Sequence, residues 1–171
     1  MDVGKGDGVK KLYFLRHGKA VAQKIGQSDK ERPLVEFAYT QLEKLKIALS
    51  STDFKPDSVL CSTATRTQQT VFLMQEAGLL AKATINFEKS LYNAPLTTVL
   101  AEISKVDDGM QSLLVVGHNP ALSEAVQRFQ REKFLISFPT FSLVGFAFET
   151  TSWELIEKST ATPLFTFLSK E

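Results

Sequence analysis

Residues 11–18, KLYFLRHG, begin an alternation of strand and helix that runs through most of this 171-residue chain. The apolar run at 12–15 reads as a buried strand that stops at Arg16-His17-Gly18. From Leu34 the apolar positions 34, 38, 42, 45 and 49 recur at helical spacing. SVLCS (58–62) reads as a second strand, followed by a helix over about 65–77 that Gly78 can end in a left-handed cap. TINF (84–87) is a third strand, and APLTTVLAEISKV (94–106) a third helix with Pro95 near its first turn. SLLVVG (112–117) is a continuous apolar strand, after which Asn119 is placed to N-cap a helix whose first position is Pro120 and which runs to about Arg131. FSLVGFAF (141–148), TSWELIEK (151–158) and LFTFL (164–168) then read as consecutive strands, with Trp153 half-buried. Repeated strand–helix alternation implies the α/β class, here a three-layer α/β/α sandwich on a mainly parallel central sheet.

The bulk composition fits that picture. At 43% hydrophobic and 23% charged residues the chain is neither charge-rich enough for disorder nor apolar enough for a membrane protein. A formal net charge of +1 offers no global attraction to nucleic acid or to an anionic membrane, so electrostatic specialisation has to be local. The apolar stretch at 134–148 is broken by Ser137, Pro139, Thr140, Ser142 and Gly145, and falls short of the roughly 20 residues of a spanning helix. The glycine-rich residues 1–10 read as a flexible tail ahead of a single domain at 11–171. GKGDG at 4–8 is not a nucleotide-binding loop, because no strand precedes it. One cysteine, Cys61, excludes an internal disulfide and fits a reducing compartment; with no signal-peptide core, a cytoplasmic location is expected.

In open α/β sheets ligands gather at the carboxyl ends of the strands. The first strand ends in Arg16-His17-Gly18, the second in Ser62 with Arg66 one helical turn on, and the fourth in Gly117-His118-Asn119-Pro120. Both histidines of the chain lie at such ends. A lone strand-end histidine is more often structural than catalytic, and RHG by itself is a weak signal. Two histidines and two arginines on one rim, with no carboxylate beside them, are a stronger one: their natural complement is a dianion such as phosphate. The helix N-terminus after Asn119 adds free N–H groups and a positive dipole end. No metal site is expected, since neither histidine has Asp, Glu or Cys at ligand spacing and nearby arginines repel cations. Cys61 reads as a buried, inert thiol.

LYFLRHGKA (12–20), CSTATRTQQT (61–70) and VVGHNP (115–120) together resemble, in order, the nucleophile, S-x-x-x-R-x-x-x-T and second-histidine motifs of the histidine phosphatase, or phosphoglycerate-mutase-like, superfamily. ERPL with Arg32, SLYNA at 90–94 and FPT at 138–140 are similar to its small phosphohistidine phosphatase group. Val35, Ala38, Thr63 and Thr67 stand where that group often has Thr, Gly, Pro and Ala. The resemblance implies a covalent phosphohistidine at His17, with Arg16, Arg66 and His118 around the phosphoryl oxygens. It implies phosphate- or substrate-binding places for Gly18 and Asn119. Arg32 is either a clamp over the substrate or a surface arginine, and Ser62 either a phosphate donor or a helix cap. Glu88 is the one candidate general acid, against a solvated loop glutamate. Lacking a clear acid, the chain is expected to prefer phosphohistidine on a protein, whose imidazole leaves with little help. Small phosphate monoesters, or a module that only binds phosphate or phosphoprotein, are the alternatives. No cofactor, nucleic acid or membrane partner is implied. A neutral His17 with a charged His118 would give an activity maximum in pH.

Overall fold

The computed structural model describes residues 8–130 and 137–170. The strands and α-helices of the described residues are, in order, β1 (Val9–Arg16), α1 (Phe37–Leu49), β2 (Ser58–Ser62), α2 (Thr65–Glu76), β3 (Thr84–Glu88), α3 (Leu96–Ser104), β4 (Ser112–Gly117), α4 (Ala121–Phe129), β5 (Leu143–Glu149) and β6 (Ala161–Phe167). The strands form one sheet in the order β3-β2-β4-β1-β5-β6. β3, β2, β4 and β1 are mutually parallel, and β5 runs antiparallel to both β1 and β6.

Strand alternation sorts the core into two layers. Leu12 and Phe14 of β1 and Leu113 and Val115 of β4 face the side covered by α3 and α4. Tyr13, Leu15, Leu114 and Val116 face the side covered by α1 and α2. The fold is therefore the expected α/β/α sandwich. Gly78 ends α2 at φ +76°, a backbone region that costs glycine little, and it lets Leu79 N–H reach Met74 O at 3.0 Å.

The structure departs most from the sequence reading at three places. α1 begins at Phe37, not Leu34, because residues 33–35 are tied to 19–21: Val21 N–H donates to Pro33 O and Val35 N–H to Lys19 O, each at 2.9 Å. β1 begins at Val9, inside the stretch assigned to the tail. There Lys10 is wholly buried, its Nζ donating to Asp108 O at 2.5 Å and Met110 O at 2.9 Å. The segment read as a strand at 151–158 is instead a 3-10 turn, Trp153–Lys158, and Trp153 is fully rather than half-buried. Its backbone N–H donates to Asp108 Oδ1 and its indole Nε1–H to Met110 O, both at 2.8 Å, while Lys10 Nζ lies 5.4 Å from the ring centroid. Those anchors hold the segment over the 107–111 loop, where it cannot extend along the sheet edge.

Candidate active site

The two central strands carry the two histidines. β1 and β4 pair in register up to Arg16 opposite Gly117, and His17 N–H donates to Gly117 O at 3.3 Å. His17 and His118 thus leave the sheet side by side, with ring centroids 5.4 Å apart. β2, on the other flank of β4, ends in Ser62, and α2 starts three residues later with Arg66 in its first turn. Arg16, Arg66, Ser62 and both imidazoles therefore share the C-terminal rim, as the motif positions imply.

His17 is 7% exposed and is held at both ring nitrogens. Nδ1 lies 2.7 Å from Gly18 O, an acceptor, so Nδ1 carries the proton and Nε2 keeps its lone pair. Arg66 Nε–H points at that lone pair from 3.3 Å. Gly18 is fixed in turn: its N–H donates to Thr70 Oγ1 at 2.9 Å, and Thr70 Oγ1 donates to Arg66 O at 2.7 Å. A Cβ on Gly18 would stand 2.8 Å from the Phe141 ring and 3.1 Å from Ala38 Cβ, so only glycine lets the chain turn here without displacing them.

Burial is the largest influence on both imidazoles. It lowers His17 to about 3, where the Gly18 carbonyl opposes the shift while His118, Arg66 and Arg16 add to it. Burial and then Arg66 lower His118 to about 4, against the opposing pull of Asp29. Both rings are neutral at pH 7 in this site, so the charged His118 of the sequence reading is not the resting form. His118 Nε2 lies 2.8 Å from Ser62 Oγ, and its buried Nδ1 has no hydrogen-bond partner among the described residues.

The expectation that no carboxylate accompanies the cations is corrected by Asp29, in the loop between β1 and α1. Asp29 Oδ2 accepts from Arg66 Nη2 at 3.1 Å and from Tyr92 Oη at 2.6 Å. Oδ1 accepts from Arg32 Nε at 2.9 Å, and the Asp29 carbonyl accepts from Arg66 Nη1 at 2.7 Å. The Tyr92 hydrogen bond, followed by those of the two guanidinium groups, holds the Asp29 carboxyl well below the usual carboxylate range. Tyr92 also sets its edge against His118, with centroids 5.7 Å apart. Sequence reading gave no role to Asp29 or Tyr92, although Tyr92 lies within the quoted SLYNA and Asp29 two residues before ERPL. Thr70, the last residue of the S-x-x-x-R-x-x-x-T motif, was quoted without a role.

The remaining expected residues are placed as follows. Arg32 joins the cluster through Asp29 and donates from Nη1 to Val21 O at 2.7 Å, so it is not a free surface arginine. Arg16 donates from Nη1 to Phe138 O at 3.0 Å. Ser62 Oγ also accepts from Ala64 N–H at 3.4 Å, serving His118 and the start of α2 together. Gly18 commits its N–H and its carbonyl to Thr70 and His17, which makes it a positioning residue. Asn119 does not cap α4. The cap position is Pro120, and Asn119 Nδ2 donates to Phe138 O at 2.9 Å, across to the segment before β5. α4 ends at Phe129; residue 131, where the expected helix would finish, lies outside the described residues. Glu88 closes edge strand β3 opposite Ser62 and lines a hollow with Leu60, Asn86 and Glu102. Cys61 is buried, and burial raises its thiol to about 12. Among the described residues no three His, Cys, Asp or Glu side chains gather as a metal site, and no helix is long and apolar enough to cross a membrane.

The sheet order and the rim of paired histidines and arginines define a phosphoglycerate-mutase-like α/β fold. The sequence profile of the histidine phosphatase superfamily (branch 1) matches residues 12–91. An Agrobacterium tumefaciens structure assigned as the phosphohistidine phosphatase SixA is 30% identical, with a TM-score of 0.72 over 80% of this chain and 90% of that one. A Nakamurella multipartitia structure with the same assignment shares the fold at a TM-score of 0.79 and 22% identity, over 93% of this chain and 95% of the other. An uncharacterized protein of Mycobacterium tuberculosis is 38% identical over 109 residues, which is 64% of this chain and 65% of that protein's length. This chain belongs to the histidine phosphatase superfamily, in its SixA-like group.

Proposed function

We propose that this protein is a phosphatase that takes a phosphoryl group onto His17 Nε2 and passes it to water, with phosphohistidine on a protein as its preferred substrate. The observation that carries the reading is the state of His17. The Gly18 carbonyl fixes the proton on Nδ1 and burial keeps the ring neutral, so a lone pair faces Arg66 beside a second histidine.

In the first step the Nε2 lone pair forms a bond to phosphorus as the bond to the leaving nitrogen breaks, and that nitrogen takes up a proton. In the second step water attacks phosphorus, the bond to His17 breaks, and inorganic phosphate leaves. The transition state spreads charge over three oxygens, so cations held in place do most of the work. Arg16 and Arg66 supply them, with His118 as a hydrogen-bond donor. As the phosphoryl group arrives, Arg66 exchanges the His17 lone pair for a phosphoryl oxygen.

The substrate preference rests on the carboxylates. Asp29 is ionised and committed to Arg32, Arg66 and Tyr92, and Glu88 lines a separate hollow with Leu60, Asn86 and Glu102, so we assign neither as proton donor to an alkoxide. An imidazole leaving group needs far less help. The deciding experiment presents a radiolabelled phosphohistidine peptide beside p-nitrophenyl phosphate and a panel of sugar phosphates. Turnover of the peptide should exceed that of every ester, and an acid-labile label should appear on the wild type but not on His17→Ala. Preference for an ester overturns the substrate assignment, and binding without label or turnover overturns the enzyme.

A further inference from the structure

Between α1 and α2 lies an open groove of about 230 Å³ whose two walls start beside the site arginines. One wall begins at Leu34, two residues after Arg32; the other begins at Gln69, three residues after Arg66. Gln69 Oε1 accepts from Leu34 N–H at 2.8 Å and closes the end nearest the catalytic rim. From there α2 carries the groove away to Glu76, about 15 Å along its axis from Arg66 at 1.5 Å per residue.

The groove's exposed walls mix polar groups with two large aromatic rings. Tyr39 on α1 and Phe72 on α2 are 58% and 56% exposed, and among the described residues neither ring packs on another aromatic ring. Exposed large apolar side chains grouped in a concavity mark contact surfaces, and aromatic residues dominate the contact energy of such patches. The charged side chains lining it are Glu36 and Glu76, both acidic, although the adjoining rim is cationic. A small phosphate compound held at His17 has nothing to place in a groove that runs this far from the rim. A polypeptide whose phosphorylated residue enters the rim has to lie across whatever surrounds it.

We infer that this groove seats the body of the phosphorylated protein: a segment near its phosphohistidine that presents apolar side chains flanked by lysine or arginine. The inference rests on the phosphohistidine reading above and supplies its selectivity for proteins. Apolar side chains fill the trough between Tyr39 and Phe72, and the basic groups meet Glu36 and Glu76 at its margins. Because both walls continue from the arginine-bearing segments, a docked chain that passes over the Gln69–Leu34 contact brings its phosphohistidine to the rim that holds His17.

The test compares two substrates of one enzyme. The first is a helical peptide carrying phosphohistidine, with leucines on one face and lysines beside them, together with a twin in which glutamates replace the lysines. The second is phosphoramidate, which is too small to touch the groove. Phe72→Ala and Tyr39→Ala should each raise KM for the lysine peptide about tenfold, leaving its kcat and both constants for phosphoramidate unchanged. Glu76→Lys should erase or reverse the preference for the lysine peptide over its glutamate twin. The inference is overturned if the peptide and phosphoramidate constants move together, or if neither moves. It is also overturned if sedimentation shows a wild-type dimer that Phe72→Ala converts to monomer, since a second copy then covers the groove. Loss of phosphoramidate turnover in the wild type itself would instead refute the phosphatase reading.

Discussion

Thr70→Val isolates the arrangement that aims His17. Valine keeps the shape of threonine and deletes one oxygen, which accepts from Gly18 N–H at 2.9 Å and donates to Arg66 O at 2.7 Å. The Arg66 carbonyl keeps its place in the helical ladder, whereas the Gly18 amide is left buried without an acceptor, at a cost of about 1–3 kcal/mol. In a chain of this size each kcal/mol lowers Tm by about 2–4 °C, so a fall of about 2–12 °C is expected. The kinetic effect follows from the next bond along. Gly18 O holds His17 Nδ1 at 2.7 Å, and a misplaced nucleophile of about 1 Å costs on the order of a hundredfold in rate. kcat should fall about tenfold to a hundredfold, and KM should change less than about twofold because the arginines remain. Denaturant unfolding followed through the single tryptophan, Trp153, gives the stability, and phosphoramidate turnover gives the kinetics. Thr70→Ser should recover both. A Thr70→Val protein as stable and active as the wild type, or a serine variant that falls as far as the valine one, would refute the role assigned to this hydroxyl.

Two further consequences concern charge. Asp29→Asn removes the anion shared by Arg66 and Arg32; a partly exposed pair contributes about 0.2–1 kcal/mol, so inorganic phosphate should bind up to about fivefold more tightly by calorimetry, and weaker binding would contradict the competition. Titration of His118 to about 4 means that a bound phosphate dianion, which favours the protonated ring, should draw in protons near pH 6; calorimetry in buffers of different ionisation enthalpy reads this directly, and no buffer dependence would refute it. The same shifts govern acid stability. Both histidines titrate lower in the fold than the ordinary 6.5, so between about pH 6.5 and 4 the unfolded chain binds more protons. Their contribution is complete above pH 6.5 and is lost as pH falls through that window, so the urea midpoint should drop there, and a midpoint flat from pH 7 to 4 would contradict the burial of the rings.

Where the chain's own pattern determines structure, the sequence was enough. The apolar strands 58–62 and 112–117 fall within the observed limits to the residue, because fully buried parallel strands are continuous apolar runs. The cationic rim was legible for a related reason: His17, Arg66 and His118 sit at fixed short offsets from the ends of β1, β2 and β4. Asp29 and Tyr92 were not, since their link is a hydrogen bond between two loops that only the closed fold brings together. Residues 151–158 misled because Trp153, Leu155 and polar neighbours alternate like a strand, while the true determinant, the buried Lys10 and the 107–111 carbonyls, lies far off in the chain. Asn119 looked like a helix cap by residue type, yet α4 starts one residue later than expected, with Pro120 in the cap position, and the Asn119 amide is turned to the Phe138 carbonyl.

The two imidazoles emerge from neighbouring central strands that are widely separated in the chain, one residue beyond the last matched pair of β1 and β4. Half of the molecule therefore cannot hold half of the chemistry: a fragment ending before Ser112 keeps the RHG segment and lacks its partner ring. Recovery of phosphoramidate turnover during refolding accordingly times the closure of the middle of the sheet, a non-local and hence slow event. It should never run ahead of spectroscopic signals from the helices.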